Sequence, residues 1–198
     1  MDARERLLAP GGRLIPQRDI LMAAPVTHSA EYHRITHPWL ENKYGLQLDA
    51  GAEFESNHWT KVTLGSNQLL AESQSWFTLD YASLKDRNAK GKIDWQIQKH
   101  GELHGIAIWF DAELAQGIGF SNHPSQPPLF HGQGFMPMPS PISVEVGYRV
   151  FCEIHAHWLS GEYIWQWKGY VANNTGEVIG RFDQSTFARR LLVRQAKD

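Results

Sequence analysis

The sequence predicts a mainly β protein: a β-barrel or sandwich with a short N-terminal helix and a small helical arm. Three observations carry this. Short runs of alternating or apolar residues follow one another from Ser75 onward, separated by turn signals, the pattern of a sandwich or closed barrel. A charged, helix-prone run at the start is stopped by Pro10-Gly11-Gly12. The segment 46–70 is polar and weakly periodic, and reads as an excursion from the main domain.

Taken in order, Asp2 to Leu8 is the first helix, with Leu7 and Leu8 facing inward. Arg13 to Ala24 alternates loosely and is expected to be a strand with Pro16 near its start. Ser29 is a candidate cap for a helix over 30–35, and Pro38 is expected to break the chain before a second turn at 39–44. Trp76 to Tyr81 is a strand, 85–92 a charged turn region, and Ile93 to Ile97 a strictly alternating strand. Leu103 to Phe110 is mostly apolar, hence central; Gly117 to Phe120 is short and extended. Pro124 to Pro128 and the Pro137, Pro139, Pro141 run are both expected to be loops. Tyr148 to Leu159 and Tyr163 to Ala172 are strands joined at Ser160-Gly161, and Val178 to Phe182 follows an Asn-Asn-Thr-Gly turn. Two units result: a helical remnant over 1–12, and a β-barrel domain over 13–198 with 46–70 as its arm.

Composition excludes several classes. The 198 residues carry a net charge of −2, which offers no nucleic-acid footprint or polybasic membrane patch. The basic residues Arg189, Arg190, Arg194 and Lys197 read as a solvated end. No apolar run approaches a membrane span. A single cysteine, Cys152, permits no internal disulfide and fits a cytoplasmic location. The eight tryptophans are spread along the chain and read as core and interface mass, not as one aromatic cage.

Candidate chemistry is sparse. No Gly-x-Gly turn leads from a strand into a helix, so the cradle a nucleotide-like cofactor needs is missing. No Gly-x-Ser-x-Gly elbow exists, and Cys152 lies in a strand-like run as an inert thiol. Asp111 and Glu113 read as solvated carboxylates; His28, His33 and His37 read as surface or packing residues. His155-Ala156-His157 puts two imidazoles on one strand face. With Gly147, Glu162 and Gly169 this resembles the first cupin motif, whose metal site would use His155, His157 and Glu162. Gly147 stands two residues too far from His155, and the second cupin motif is missing. The plain reading is two histidines on a strand face.

A wider resemblance runs through the chain. The opening Arg4-Glu-Arg-Leu-Leu-Ala-Pro-Gly-Gly-Arg-Leu-Ile-Pro16 and then Ile35-Thr-His-Pro-Trp-Leu-Glu-Asn-Lys-Tyr-Gly45 are followed by Ile106 to Phe110 with Asp111-Ala-Glu-Leu114. Gly119-Phe-Ser121, Pro124, Gln133 and Gly147 come next. In this order they resemble the protein arginine methyltransferases, from the end of that family's cofactor-binding half onward. The resemblance implies a C-terminal barrel that forms part of the substrate cleft, and an arm over 46–70 that makes a homodimer. It implies S-adenosylmethionine as cofactor of the intact enzyme, with no cofactor-binding or catalytic residue in this chain: the family's two glutamates fall before the matched region. The chain alone is therefore expected to be inactive, awaiting a missing or separate Rossmann domain, with a protein or peptide as substrate. At the family's Thr-His-Trp loop this chain has Leu129, Phe130 and His131, so Phe130 replaces the histidine. Phe130, His131 and Gln133 are the expected cleft residues. Beside this reading stand a free-standing β-barrel binding module and the cupin-like metal protein.

Overall fold

The computed structural model describes residues 2–41 and 45–188. Ten strands and three α-helices form two antiparallel sheets that share one apolar interior. Helix α1 (Asp2–Arg6) leads to β1 (Arg18–Val26). Helices α2 (Ser29–Leu40) and α3 (Asp49–Ser56) precede β2 (Thr60–Val62) and β3 (Gln74–Asp80). Then follow β4 (Ala89–Gln96), β5 (Gly101–Ala115), β6 (Ile118–Ser121) and β7 (Gln133–Val144). The chain closes with β8 (Arg149–Leu159), β9 (Glu162–Ala172) and β10 (Val178–Ser185). The first sheet runs β2-β7-β5-β1-β3, with β6 on β5; the second runs β10-β9-β8-β4.

The expected alternation is realised where one face is solvated. In β4, Ala89, Ile93 and Trp95 are buried while Lys90, Lys92, Asp94 and Gln96 are exposed. β5 is central, as its apolar run requires: it pairs with β1, β6 and β7. Between the sheets lie Trp95, Trp167, Ile97, Leu103, Ile106, Met136, Met138 and Ile154. A second apolar cluster, with Tyr32 and Ile35 of α2 over Ala24, Val26, Ala107, Trp109 and Phe135, seats α2, which leads into the 46–70 arm, on the outer face of the first sheet. The hairpin turns use left-handed backbone at Ser160 (φ 51°), Gly161 (φ 96°) and Gly176 (φ 84°).

Several local expectations are corrected. The first strand begins at Arg18, not Arg13; the preceding Gln17 is held by two backbone bonds, to Glu113 and Tyr81. Pro38 does not break the helix. It sits in the last turn of α2, and the one bond it forfeits is to the exposed Arg34 carbonyl. Ser29 is the first helical residue, and His28 occupies the cap position. Of the 39–44 turn, residues 42–44 lie outside the described residues, as does the C-terminal basic cluster.

The Pro137, Pro139, Pro141 run is strand, not loop. The β5–β7 register shifts between Leu103 and Gly105, which sets residues 138–141 outside the paired ladder, and there prolines forfeit no bond. Their carbonyls remain useful. Pro137 accepts the Trp167 indole N–H at 2.9 Å, and Pro139 accepts the Tyr32 hydroxyl at 3.1 Å. The segment 46–70 is not uniform either. Residues 49–56 form α3, whereas 60–62 pair with β7, and Leu64, Leu69 and Leu70 are buried.

Where α2 leaves the sheet it crosses a buried histidine. His104 is 2% exposed. Its Nδ1 lies 3.2 Å from the His28 backbone N–H and 3.0 Å from the Glu102 carbonyl, with the Glu102 carboxylate 3.6 Å from Nε2. Burial pushes the His104 pKa down against the pull of Glu102, helped by His33 and His28; burial lowers that of His28 too, against Glu31. Both imidazoles are thus held neutral. A lowered folded pKa leaves stability complete above the unfolded value of about 6.5 and removes it as the pH falls below that, toward the folded values. Urea midpoints should therefore be level above pH 7 and decline from pH 6.5 to 5. A midpoint unchanged across that window would show that neither histidine is held neutral.

Candidate functional site

Four of the tryptophans that the sequence scatters meet at one pocket. Trp59 lies just ahead of β2, Trp76 on β3, Trp109 on β5 and Trp165 on β9, and all four line a cavity of about 290 Å³. Their rings interlock: Trp59 and Trp76 each meet Trp165 edge-on, at 6.5 and 6.2 Å between centroids. Leu21 and Ile108 complete the apolar wall, and Gly134 leaves it open. A Cβ at Gly134 would press on Ile108 at 2.9 Å and touch Trp59 at 3.6 Å, an ordinary contact. The expected core mass is there, with Trp76, Trp95, Trp109 and Trp167 all buried, and some of it also lines this pocket. No local pattern signals the pocket, because its tryptophans come from three strands and a loop in two sheets.

The polar part of the site is the 130–134 segment. His131 and Gln133 both line the pocket; Phe130 does not, and is 89% exposed. His131 sits among Phe110, Phe120 and Phe130, with centroids 5.6 to 6.4 Å away. The Lys61 ammonium lies 4.4 Å over the Phe130 ring and donates to the Phe130 carbonyl. Gln133 is 6% exposed and fully engaged: its Oε1 accepts the Leu64 N–H at 2.9 Å, and its Nε2 donates to the Asn122 carbonyl at 2.5 Å. Asn122, 3% exposed, accepts the Phe110 N–H at 2.9 Å and donates to the Gly132 carbonyl. Gln133 thus fixes the 129–134 loop against β2. Gln133→Leu strands two buried backbone groups and should cost about 3 kcal/mol in urea unfolding. A loss below 1 kcal/mol would release Gln133 from this structural task.

The histidine pair lies elsewhere, on β8. His155 is 8% exposed. Its Nε2 donates to Glu153 at 2.8 Å, and its Nδ1 lies 3.1 Å from Nε2 of the exposed His157. Glu162 stands across from Leu159 at the hairpin end, two ladder steps beyond the His157–Ile164 pair. The carboxylate that reaches His155 is therefore Glu153, which the sequence reading missed, although spacing i, i+2 on one strand could have shown it. Lys90 also holds Glu153, at 2.8 Å. These contacts, Lys90 first and then His155, lower the Glu153 pKa to about 2. Among the described residues no three His, Cys, Asp or Glu side chains gather to hold a metal ion. Gly169 answers to packing: a Cβ there would fall 1.8 Å from the Phe151 carbonyl. A depressed carboxylate pKa keeps its charge far into acid. Carbon-detected NMR should find Glu153 still ionised at pH 3 and titrating nearer its ordinary value in Lys90→Ala; an unchanged midpoint would refute the Lys90 pairing.

The remaining candidates are ordinary. Asp111 accepts the Ser121 hydroxyl, and Glu113 pairs with Arg18. Burial pushes the Cys152 thiol well up and leaves it inert. All strand pairings among the described residues are antiparallel, and Gly11-Gly12 precedes a strand instead of following one. These residues do not fit the strand–glycine turn–helix cradle of a nucleoside cofactor. No helix among them is long and apolar enough to cross a membrane.

Residues 17–160 match the family described as the arginine methyltransferase oligomerization subdomain. An arginine N(omega)-methyltransferase of Streptomyces achromogenes subsp. streptozoticus is 23% identical over 145 residues, covering 73% of this chain and 40% of that protein. A probable protein arginine N-methyltransferase 6.1 of Oryza sativa is 27% identical over 138 residues, covering 63% and 33%. Among solved structures, the Trypanosoma brucei PRMT1 enzyme–prozyme heterotetrameric complex with AdoHcy matches with a TM-score of 0.80 and 15% identity, over 92% of this chain and 60% of that one. Arabidopsis thaliana protein arginine methyltransferase 10 matches at 0.71 and 17%, over 93% and 64%. At such identities the structural likeness speaks for the fold. The chain spans well under half the length of the curated relatives it matches.

Proposed function

This chain belongs to the arginine methyltransferase family, through its oligomerization subdomain, and on that premise we propose that it is the barrel part of an S-adenosylmethionine-dependent arginine methyltransferase-like protein. It carries the dimer contact and one wall of the substrate cleft. It is inactive by itself, and a Rossmann domain, in the same polypeptide or a separate one, supplies the cofactor. The acceptor is an arginine, free or in a peptide, since the names of the relatives include both arginine and protein arginine methyltransferases. Of the residues expected at that cleft, Phe130 stands exposed for the role, whereas His131 and Gln133 line the tryptophan pocket. The lone buried Cys152 agrees with a cytoplasmic site of action.

The observation that carries the dimer reading is the α2–α3 arm. Helix α3 approaches α2 so closely that a Cβ on Gly51 would meet the Trp39 ring at 2.1 Å. Leu40, the last residue of α2, is 53% exposed, and Leu46, which precedes α3, is 57% exposed. Apolar residues at the end of a rigid arm suit a partner surface better than water. A homodimer through residues 46–70 and the adjoining end of α2 follows.

Light scattering after size exclusion should give a dimer. Leu40→Asp/Leu46→Asp should weaken it at least about 100-fold, the loss of two leucines buried in the dimer, with the circular dichroism spectrum unchanged. A monomeric parent would end the dimer reading. Methyl transfer from S-adenosylmethionine by this chain alone would end the inactivity reading, and leave the dimer standing.

A second reading is favoured by the match to an enzyme–prozyme complex: the barrel as partner of a separate methyltransferase subunit. Heterodimers should then form on mixing, at the expense of the homodimer.

A further inference from the structure

The tryptophan pocket combines indole walls with one cation and no carboxylate in its lining. Three indoles, Trp59, Trp76 and Trp165, with Leu21 and Ile108, build an apolar wall between the sheets. At about 290 Å³ the cavity stands at the small end of ligand pockets, the size for one flat ring system with a short substituent. The charge at its rim is single-signed: Lys61 lines it, and no aspartate or glutamate is among the lining residues. A guanidinium would meet Lys61 unopposed. Among the described residues the Lys61 ammonium donates to the Phe130 carbonyl and lies over the Phe130 ring, and an ammonium has three hydrogen bonds to give. Trp76, 6% exposed, has an indole N–H with no acceptor among the described residues, a state buried donors rarely tolerate.

We propose that this pocket binds an aromatic carboxylate, its ring among Trp59, Trp76 and Trp165 and its carboxylate at Lys61. The assignment goes beyond methyl transfer: the ligand is neither methyl donor nor acceptor, and its recognition needs only groups that this chain contains. Edge-to-face contacts with the indoles hold the ring, and the charge-assisted bond to Lys61 selects the anion. His131, among Phe110, Phe120 and Phe130, borders the same mouth and offers a second donor. Two sources share this chemistry: a free small acid and the C-terminal aromatic residue of a polypeptide.

Calorimetric titration of the whole chain with indole-3-propionate tests the assignment, with tryptamine as the cation of matching shape. Binding of the acid and at least tenfold weaker binding of tryptamine are expected. Lys61→Met, an exposed substitution, should weaken the acid about tenfold and narrow the preference over tryptamine, with an unchanged melting temperature. Gly134→Ala, which narrows the pocket from its own wall, should weaken both probes. No heat from millimolar indole-3-propionate, equal affinity for tryptamine, or a Lys61→Met protein that binds as the parent does would each overturn the proposal. The peptide Gly-Gly-Gly-Trp with a free C-terminus separates the sources. Tighter binding than the free acid assigns a polypeptide terminus, and weaker binding assigns a small molecule. These readouts involve no methyl transfer and no dimer, so their failure leaves the family reading untouched.

Discussion

Two carbonyl groups on one strand hold the parts of this molecule together. The Pro137 carbonyl of β7 receives the indole N–H of Trp167 from the opposite sheet, and the Pro139 carbonyl receives the hydroxyl of Tyr32 from α2. Trp167 is wholly buried, where an N–H without an acceptor is costly. β7 can do this because its prolines stand where the register with β5 shifts. A regular strand would have spent those carbonyls on the ladder. One irregular strand thus seats the second sheet on its inner side and the arm on its outer side.

The close approach of the sheets rests on missing side chains. Gly91 of β4 lies against the Trp76 carbonyl of β3, where a Cβ would fall 2.0 Å from it, and within the second sheet Gly169 lies under the Phe182 ring at 2.8 Å by the same measure. Trp76 then meets Trp165, which in turn meets Trp59. Glycine in a strand weakens it in isolation, yet here it lets large rings from two sheets meet. The same positions that close the core therefore shape the pocket beside it. Asn57, just past α3, adds a tie by accepting the Ser185 N–H of β10 at 2.8 Å, so the arm is fixed at both of its ends.

The proposed dimer contact and the proposed ligand pocket fall to different parts of the chain. The arm offers apolar side chains on two packed helices, a surface suited to another protein. Lys61 of β2 and His131 border the indole-lined cavity, and the 130–134 segment is held in place by Gln133 and Asn122. Both glutamine and asparagine are spent on backbone, so neither is free for chemistry. That division agrees with a subdomain that assembles and shapes an enzyme more than it carries out its reaction.

The sequence by itself determined the β-rich class, the order of most strands, the hairpin turns and the family. Each is written locally, in period-two alternation, glycine and asparagine turns, or landmark residues in a fixed order. Glu153, not Glu162, as the partner of His155 was legible too, at a spacing of two on one strand. The fate of Pro38 and of the proline run was not, because a proline's effect depends on whether its missing N–H faces solvent, a ladder or a register shift. Nor was the commitment of Gln133, whose partners Leu64 and Asn122 lie 69 and 11 residues away. The tryptophan pocket was decided by tertiary structure alone. Its rings come from different strands, and only the packing of two sheets, permitted by glycines that local pattern treats as weak points, brings them within reach of one another.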